Sequence, residues 1–405
     1  MVRAREQIAG VRRPHSRLDM TRLWGLALVV LAAALIGVYR VHHDRAIWTP
    51  DGAIYLRLTL QDRGAPERIA RDEANRFMRT TAEVRNPKSR GFYDDQPPLY
   101  YRQQFALFQN RPIYPALAAA LYPRFGPGAL KIVSGLAYVL AVPLVYIVLA
   151  GLVTPWIAAL GALGFATAPA VLEVAGLAMT DELALLFWVA ALGTLLAYLR
   201  APRLLALAAF VVAALALTFT RPAAYLPFGA AAGAYLAATP RSAQRIAARR
   251  AAVAALACGI LFLAYDHATH GAGLATQLRW QYAWQQQTHG SFAGHGFAAW
   301  WLLSVVGAVA TELVLDVYKN AALFVVVLAA FGILLARRSI VVPVAVGAAI
   351  ATLVPLVVNP LEVQRTVTLP LTPLVVILAT LALGSLAKTY AASRAPRSES
   401  DAASP

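Results

Sequence analysis

The chain has 405 residues, of which 59% are hydrophobic and 14% are charged, and its mean hydropathy is +0.59. A soluble domain of ordinary composition carries about a quarter charged residues, so these values exclude one large soluble core and indicate a polytopic membrane protein. The net charge of +16 is spread over short loops and the two tails, which indicates topology control by the positive-inside rule and not nucleic-acid binding.

The first part of the chain predicts a cytoplasmic tail, one span and a long outer loop. Residues 1–22 are basic and are expected to remain in the cytoplasm. Residues 23–40 predict an uncleaved first span, because no small-residue cleavage site clearly follows this apolar run. Residues 42–111 are mostly polar, and residues 67–80 within them have the composition of a solvated or interfacial helix. The only cysteine, Cys258, lies in an apolar run, which excludes an internal disulfide and a thiolate metal cluster.

Charge placement decides which of the remaining apolar runs cross the membrane. The run at 112–124 is shorter than the roughly 20 residues needed to cross and has prolines at both ends, so it is predicted as an interfacial amphipathic helix. The run at 300–315 is predicted as a surface or re-entrant helix. The arginine clusters at 241–250 and 337–338 then lie on the cytoplasmic side. The other runs are predicted to cross at 131–150, 155–172, 181–199, 203–220, 222–238, 251–267, 320–336, 340–357 and 367–386.

The predicted fold class is therefore an all-α polytopic membrane protein of about ten transmembrane helices, with both termini in the cytoplasm. Residues 23–240 form a first transmembrane module, which includes the outer loop 42–130. Residues 241–390 form a second module with the outer loop 268–319. Residues 391–405 are rich in Ser, Ala and Pro, which predicts a disordered tail.

Residues 92–115, FYDDQPPLYYRQQFALFQNRPIYP, combine backbone rigidity with charge. Their prolines fix backbone angles and remove amide donors. A purely mechanical linker would not need this density of rigid and charged groups, so the stretch is predicted to form part of a site held against the membrane surface. Within it, Asp94 and Asp95 suit solvated loop charges better than ligand contacts, and Arg102 and Arg111 supply positive charge.

The predicted topology places the remaining ionisable groups of interest near span ends on the outer face. A carboxylate there can activate an acceptor hydroxyl as a general base, and an arginine can grip a phosphate with two hydrogen bonds. Ionisable groups near membrane depth are costly, so they are candidates for function. The candidates are Asp51, Arg111, Asp181, Glu182, Arg221, Glu362 and Arg365.

Ordinary structural roles remain open for the same residues. The helix dipole alone favours Asp181 and Glu182 at a helix start, and Asp51 also suits a helix cap. Arg111 and Arg221, each before a proline, also suit contacts with lipid headgroups. The residues alone therefore predict a membrane protein with a charged outer-face site, and no more.

Metal and nucleotide chemistry has little support in the sequence. His289 and His295 are too sparse for a metal motif by spacing alone. Glu312 and Asp316 have helical spacing, but Lys319 can neutralise the second carboxylate. No zinc-protease, serine-hydrolase, P-loop or dinucleotide signature occurs in the sequence.

The order of several degenerate motifs resembles the GT-C superfamily of integral membrane glycosyltransferases, above all the aminoarabinose transferases of lipid A and the protein O-mannosyltransferases. The resemblance runs through most of residues 23–240. It starts with Asp51 after the first span, with Tyr55 following, and continues with Arg111 before a proline and Tyr114. The later motifs are PALAAALYPRFGPGALKIVSGL, Thr180-Asp181, the TRP at Thr220–Pro222, and Arg365 followed by Pro370.

This resemblance implies a function and assigns roles within it. A sugar on a polyprenyl phosphate would be transferred to a glycan, lipid or protein acceptor at the outer face of the bacterial inner membrane. Asp51 would be the catalytic base and Asp181 the second catalytic acid, and these two would hold Mg²⁺ or Mn²⁺ if a metal takes part. Gly52 follows Asp51 where many family members carry a second acid. The substrate-binding residues would be Tyr55, Arg111, Tyr114, Glu182, Arg221 and Arg365.

Three other classes of function remain open at this stage. An O-antigen ligase or polymerase would use residues 268–300, with Arg279 and His289 in place of Asp51. A flippase or transporter would show inverted repeats and charges at the membrane midplane. A structural assembly subunit would tolerate single substitutions of its loop charges.

Overall fold

The computed structural model describes residues 20–43, 48–82, 105–287, 289–290, 292–312, 322–336, 339–358 and 364–394. Every regular element in these ranges is helical, so the all-α prediction is confirmed for them. A single π-helical turn at Gln364–Thr368 precedes the last helix. The helices are α1 (Met20–His43), α2 (Pro50–Asp62), α3 (Glu67–Thr80), α4 (Ile113–Phe125), α5 (Ala129–Ala150), α6 (Pro155–Ala166), α7 (Pro169–Val174), α8 (Asp181–Arg200), α9 (Leu204–Thr220), α10 (Tyr225–Ala237), α11 (Ala243–Ala268), α12 (Leu274–Gln287), α13 (Phe297–Glu312), α14 (Ala322–Leu335), α15 (Val341–Ala351), α16 (Leu353–Val358) and α17 (Leu369–Arg394).

Five helical runs in the described part of the chain are long and apolar enough to cross a membrane. Several shorter apolar helices accompany them. This pattern is that of a multi-pass membrane protein, while the larger number of spans expected from the sequence stays a prediction. The five runs are Met20–His42, Ile113–Ala150, Asp181–Arg200, Ala243–Ala268 and Arg365–Ser393.

Several predicted segments differ from the observed helices, and the expected span 340–357 is divided at Thr352 into α15 and α16. The expected span 155–172 is divided into α6 and α7, because Ala168 precedes Pro169 and adopts an extended backbone conformation. The expected interfacial helix 112–124 forms as α4, but it continues through a 3₁₀ turn at Gly126–Gly128 directly into α5. Gly126 has a φ of +55°, which glycine adopts at little cost, and this allows the two helices to follow one another without a loop.

The larger hydrophobic core is formed between the apolar helices around α8. Trp188 of α8 is 1% exposed, and its indole nitrogen donates a hydrogen bond to the Pro370 carbonyl oxygen of α17 at 3.0 Å. Tyr146 of α5 donates from its hydroxyl to the Arg22 carbonyl oxygen at 2.8 Å, which ties α1 to α5. These hydrogen bonds satisfy polar atoms that apolar surroundings would otherwise leave unpaired.

Helices α10 and α15 approach each other through glycines. A Cβ atom at Gly229 would lie 2.6 Å from the Gly347 carbonyl oxygen, and one at Gly233 would collide with the carbonyl oxygen of Pro343. Gly229 and Gly233 are four residues apart, so both lie on one face of α10. Membrane helices use this spacing of small residues to bring their backbones into contact.

A second, smaller core lies at one end of the bundle and contains α2, α3, α4 and the start of α5. Trp48 and Phe77 meet edge to face at 4.7 Å, and Arg57, which is 3% exposed, forms an ion pair with Glu67 at 2.6 Å. The helix predicted at 67–80 is confirmed as α3. Helix α2 lies in the stretch that the sequence indicated only as polar, and it carries the first acid of the candidate site.

Candidate functional site

Asp51 lies in the first turn of α2, where the helix dipole favours a carboxylate. Thr49 caps this helix, and its Oγ1 accepts a hydrogen bond from the Gly52 amide at 3.3 Å. The Asp51 side chain is 21% exposed, and its Oδ2 accepts a hydrogen bond from Arg365 Nη1 at 3.3 Å. The helix start therefore holds Asp51 at the surface of the protein, beside a cation from the far end of the chain.

Gly52, the residue after Asp51, packs closely against Trp48 and Ala178. A Cβ atom on Gly52 would lie 3.1 Å from the Trp48 ring and 3.4 Å from the Ala178 carbonyl oxygen. A side chain at this position would therefore require the Trp48 ring to shift slightly. The chain thus presents one acid, not two, at the start of α2.

Asp181 is the first residue of α8, and it is almost fully buried at 3% exposure. Arg221, which ends α9, forms an ion pair with it through Nη1 and Oδ1. Arg365 and Arg111 are also close enough to Asp181 to interact with it electrostatically. One buried carboxylate is therefore paired with Arg221 and lies within electrostatic range of two further arginines from separate parts of the chain.

Tyr55 connects Arg111 to the start of α8. Its hydroxyl accepts a hydrogen bond from Arg111 Nη1 at 3.0 Å and lies 3.2 Å from Thr180 Oγ1. Burial raises the pKa of Tyr55 above its usual value, so the phenol stays neutral at physiological pH. The Arg111 guanidinium also lies over the Phe108 ring, 4.7 Å from its centroid, and these contacts fix its direction.

Tyr114 and Glu182, both predicted to bind substrate, lie in the protein interior behind the arginines. Tyr114 donates to the Leu130 carbonyl oxygen at 2.9 Å and packs edge to face against Tyr55. Glu182 is 0% exposed, and neither of its carboxyl oxygens has a hydrogen-bond partner among the described residues. Tyr114 therefore packs against Tyr55 in the interior, and Glu182 is a buried acid next to Asp181 in the sequence.

A shallow recess, open on one side, lies next to the arginines. Asp181, Arg221 and Arg365 form its polar wall, and Trp188 and Tyr225 belong to its remaining lining. An apolar recess with a few convergent charged groups is the usual form of a small-molecule site. The sequence did not predict Trp188 and Tyr225 as site residues, although Tyr225 lies only four residues after Arg221.

Several predicted site residues lie outside the described residues. Of the stretch 92–115, the structure describes only residues 105–115. The predicted site residues that the structure does not describe are Asp94, Asp95, Arg102, Asp316, Lys319 and Glu362.

The acids of the site do not fit a divalent cation. Asp51 faces Arg365, and Asp181 faces Arg221 with two further arginines nearby. Within the described ranges, no group of three or more His, Cys, Asp or Glu side chains is arranged to hold a metal ion. Mg²⁺ and Mn²⁺ prefer several oxygen ligands, and cationic neighbours oppose their binding.

The sequence matches no protein-family model and no curated protein. The function of the site is therefore inferred from its geometry and from the order of the motifs in the sequence.

Proposed function

We propose that this protein is a membrane glycosyltransferase that moves a sugar from a polyprenyl-phosphate donor to an acceptor hydroxyl. The support is the convergence of Arg111, Arg221 and Arg365 around Asp181, with Asp51 at the edge of the same cluster. Such a cluster suits a phosphate that arrives on a lipid, because arginine binds phosphate through two parallel hydrogen bonds. The adjoining recess has the apolar lining that a lipid-linked group requires.

Asp51 is the better candidate for the base. Its side chain is 21% exposed and forms an ion pair with Arg365 at 3.3 Å, whereas Asp181 is 3% exposed and is paired with Arg221, with Arg365 and Arg111 within electrostatic range. An accessible carboxylate can reach an acceptor, while an enclosed one cannot. We assign Asp181 to the positioning of Arg221 and the other arginines.

The proposed reaction is a single displacement. Asp51 takes the proton from the acceptor hydroxyl, and the oxygen attacks the anomeric carbon. The bond between this carbon and the phosphate oxygen breaks, and the polyprenyl phosphate leaves with the electron pair. The arginines neutralise the charge that develops on the leaving phosphate.

Phosphate binding and base activation are linked in this scheme through Arg365. This side chain contacts Asp51 and is also within electrostatic range of Asp181. A donor phosphate would compete with Asp51 for the guanidinium, which frees the carboxylate to accept a proton. We therefore propose that the donor binds before the acceptor.

The location proposed for this reaction is the outer face of a bacterial inner membrane. The proposed topology has about ten spans and cytoplasmic termini, as the positive-inside rule predicts. Asp51 lies just after the first apolar helix, so a basic N-terminal tail inside the cell puts the site outside.

Transfer of radiolabelled sugar from polyprenyl-phosphate sugars in membranes tests the proposal. Asp51→Asn is expected to lower transfer by about a hundredfold or more, since general base catalysis contributes on that scale. Asp62→Asn makes the same chemical change at the other end of the same helix and is the matched control. Equal membrane levels of all three proteins, measured by immunoblot, are required for the comparison.

Other outcomes of this assay distinguish the alternative functions. Loss of activity in Arg279→Ala or His289→Ala, with Asp51→Asn active, would favour the ligase or polymerase. Absence of transfer from every donor by the wild type would contradict an enzyme of this class and direct attention to lipid translocation. A chelator is expected to leave transfer unchanged, because arginines supply the positive charge in the proposed mechanism.

A further inference from the structure

Helix α12 carries a stripe of indole and amide side chains that the proposed reaction does not use. Trp280 and Trp284 are one turn apart, and their rings are nearly parallel, at 12°, with centroids 6.3 Å apart. Gln277, Gln281 and Gln285 recur at the same helical interval and lie along the side of these rings. The stripe therefore joins two flat aromatic surfaces to a row of amides.

Several polar side-chain atoms of α12 and α13 have no hydrogen-bond partner among the described residues. Gln281 is 3% exposed and Trp300 is 0% exposed. Across the described residues, Gln281 Oε1, Gln285 Oε1, Trp300 Nε1 and Ser304 Oγ have no hydrogen-bond partner. Buried polar groups are nearly always paired in proteins, so a cluster of unpaired ones indicates a place where a polar ligand can be bound. These four atoms include donors and acceptors, as a ligand rich in hydroxyl groups requires.

The stripe lies on the part of the protein that carries the arginines. The Ala272 amide, just before α12, donates to the Ala106 carbonyl oxygen at 3.2 Å, and Gln109 donates to the Thr269 and His270 carbonyl oxygens at 3.0 Å each. The 105–110 segment leads directly to Arg111. Helix α12 also packs on α16, which in turn packs on the π-helical turn that contains Arg365.

Attachment of α12 to the membrane surface explains its pattern of side chains less well than ligand binding does. A helix that lies in the membrane interface has a continuous apolar face opposite a basic face. The stripe on α12 instead combines indoles with amides, and Arg279 is the only basic residue of the helix. Amide side chains are costly in contact with lipid tails.

We propose that α12 binds the carbohydrate portion of the acceptor, with the indoles of Trp280 and Trp284 stacked on a sugar ring. The C–H groups on the face of a sugar ring carry slight positive charge and complement the negative face of an indole. The hydroxyl groups around the sugar ring form hydrogen bonds with the amides of Gln281 and Gln285 and with the indole N–H of Trp300. The inference that α12 binds carbohydrate is based on the α12 residues themselves. The inference that this carbohydrate belongs to the acceptor rests on the proposed glycosyltransferase function.

Binding of short gluco-, manno-, galacto- and arabino-oligosaccharides to the purified full-length protein tests this inference. Saturation-transfer NMR in lipid nanodiscs gives the affinity. At least one of these oligosaccharides is expected to bind the wild type. The double variant with Trp280→Ala and Trp284→Ala is expected to bind the oligosaccharide about tenfold more weakly than the wild type, because two stacking contacts are lost.

Control variants separate a specific effect from a loss of structure. Trp156→Ala removes a 55% exposed tryptophan from α6 and is expected to leave oligosaccharide binding unchanged. Trp300→Phe retains a buried ring but removes the unpaired N–H, and it is expected to lower affinity less than the double variant. Wild-type protein that binds none of the oligosaccharides, or a double variant that binds like wild type, would overturn the inference.

The same samples distinguish this inference from the proposed function. A wild type that transfers sugar but binds no oligosaccharide retains the proposed function and loses the α12 site. A wild type that binds oligosaccharide through the two tryptophans but neither binds nor uses a polyprenyl-phosphate sugar retains the carbohydrate site and loses the glycosyltransferase proposal.

Discussion

Each acid of the site is held by arginine, but the two acids have different surroundings. Asp181 is enclosed by Arg221, Arg365 and Arg111, whereas Asp51 has a longer contact with Arg365 and more access to solvent. A buried charge whose partner is removed costs more free energy than an exposed one. Loss of the Asp181 charge is therefore expected to cost more stability than loss of the Asp51 charge.

Substitutions in the Asp181–Arg221 pair are expected to have unequal costs. Asp181→Asn leaves three arginines facing one another, while Arg221→Gln leaves Asp181 with two other arginines. We expect Asp181→Asn to lower the free energy of unfolding by about 3 kcal/mol or more, and Arg221→Gln to lower it less. Thermal unfolding in detergent measures both, and the double variant gives their coupling. Equal costs for the two single variants would contradict the enclosure by three cations.

Asp62 provides a test of pH dependence at the other end of α2. Partial burial raises the pKa of Asp62 above its usual value of 3.8, so the folded protein holds this proton more tightly than the unfolded chain. Stability is then lost as the pH rises from about 4 through the folded-state pKa. The carboxylate also ends the last turn of a helix, where the dipole disfavours negative charge.

Asp62→Asn removes this penalty. The melting temperature is expected to rise slightly at pH 7 and to match that of the wild type below about pH 4, where both side chains are neutral. Melting curves of the two proteins across this pH range provide the measurement. A difference that persists in acid would show that charge is not its cause.

At the scale of helices, glycine contacts decide how closely α10 and α15 pack. Gly233→Leu places a branched side chain where even a Cβ atom would collide with the α15 backbone. The expected cost is about 1–3 kcal/mol or more, as for overpacked cores. Gly164→Leu is the matched control, since no atom lies within 4 Å of a Cβ at that position in α6. Melting temperatures in the same detergent compare the two, and similar values would argue against close α10–α15 contact.

The helices themselves follow closely from local sequence. The charged segment 67–80 forms α3 over the predicted residues, and the apolar run predicted at 203–220 forms α9 at Leu204–Thr220. Helix α2 was missed because its apolar residues face α3 and α4 within a segment of polar average composition. The break before Pro169 was also missed, although the proline itself is a readable signal.

At the scale of the whole molecule, the orientation of α11 tests the proposed topology. Cys258 is buried, and its replacement by alanine gives a cysteine-free background. Thr239→Cys and Ala268→Cys then place single thiols at exposed positions near the two ends of this helix. A membrane-impermeant maleimide is expected to label Ala268→Cys in intact cells and Thr239→Cys only after lysis. The reverse pattern would place the arginine cluster at 241–250 on the outer side and would contradict the proposed topology.

The sequence by itself determined the membrane class, the helical architecture and the residue types available for chemistry. Apolar runs and their flanking charges are local properties, so they can be read from neighbouring residues. The order of the motifs also predicted that Asp51, Asp181 and the three arginines belong to one site.

Only the tertiary structure decided which of these groups meet. Asp51 and Arg365 are 314 positions apart, and nothing in either local sequence encodes their contact. The structure also places Tyr114 and Glu182 in the interior. Among the described residues, it leaves the amide oxygens of Gln281 and Gln285 without a hydrogen-bond partner on the helix that carries two stacked indoles. Ion pairs and buried polar atoms depend on how distant helices pack, and this packing is a property of the whole chain.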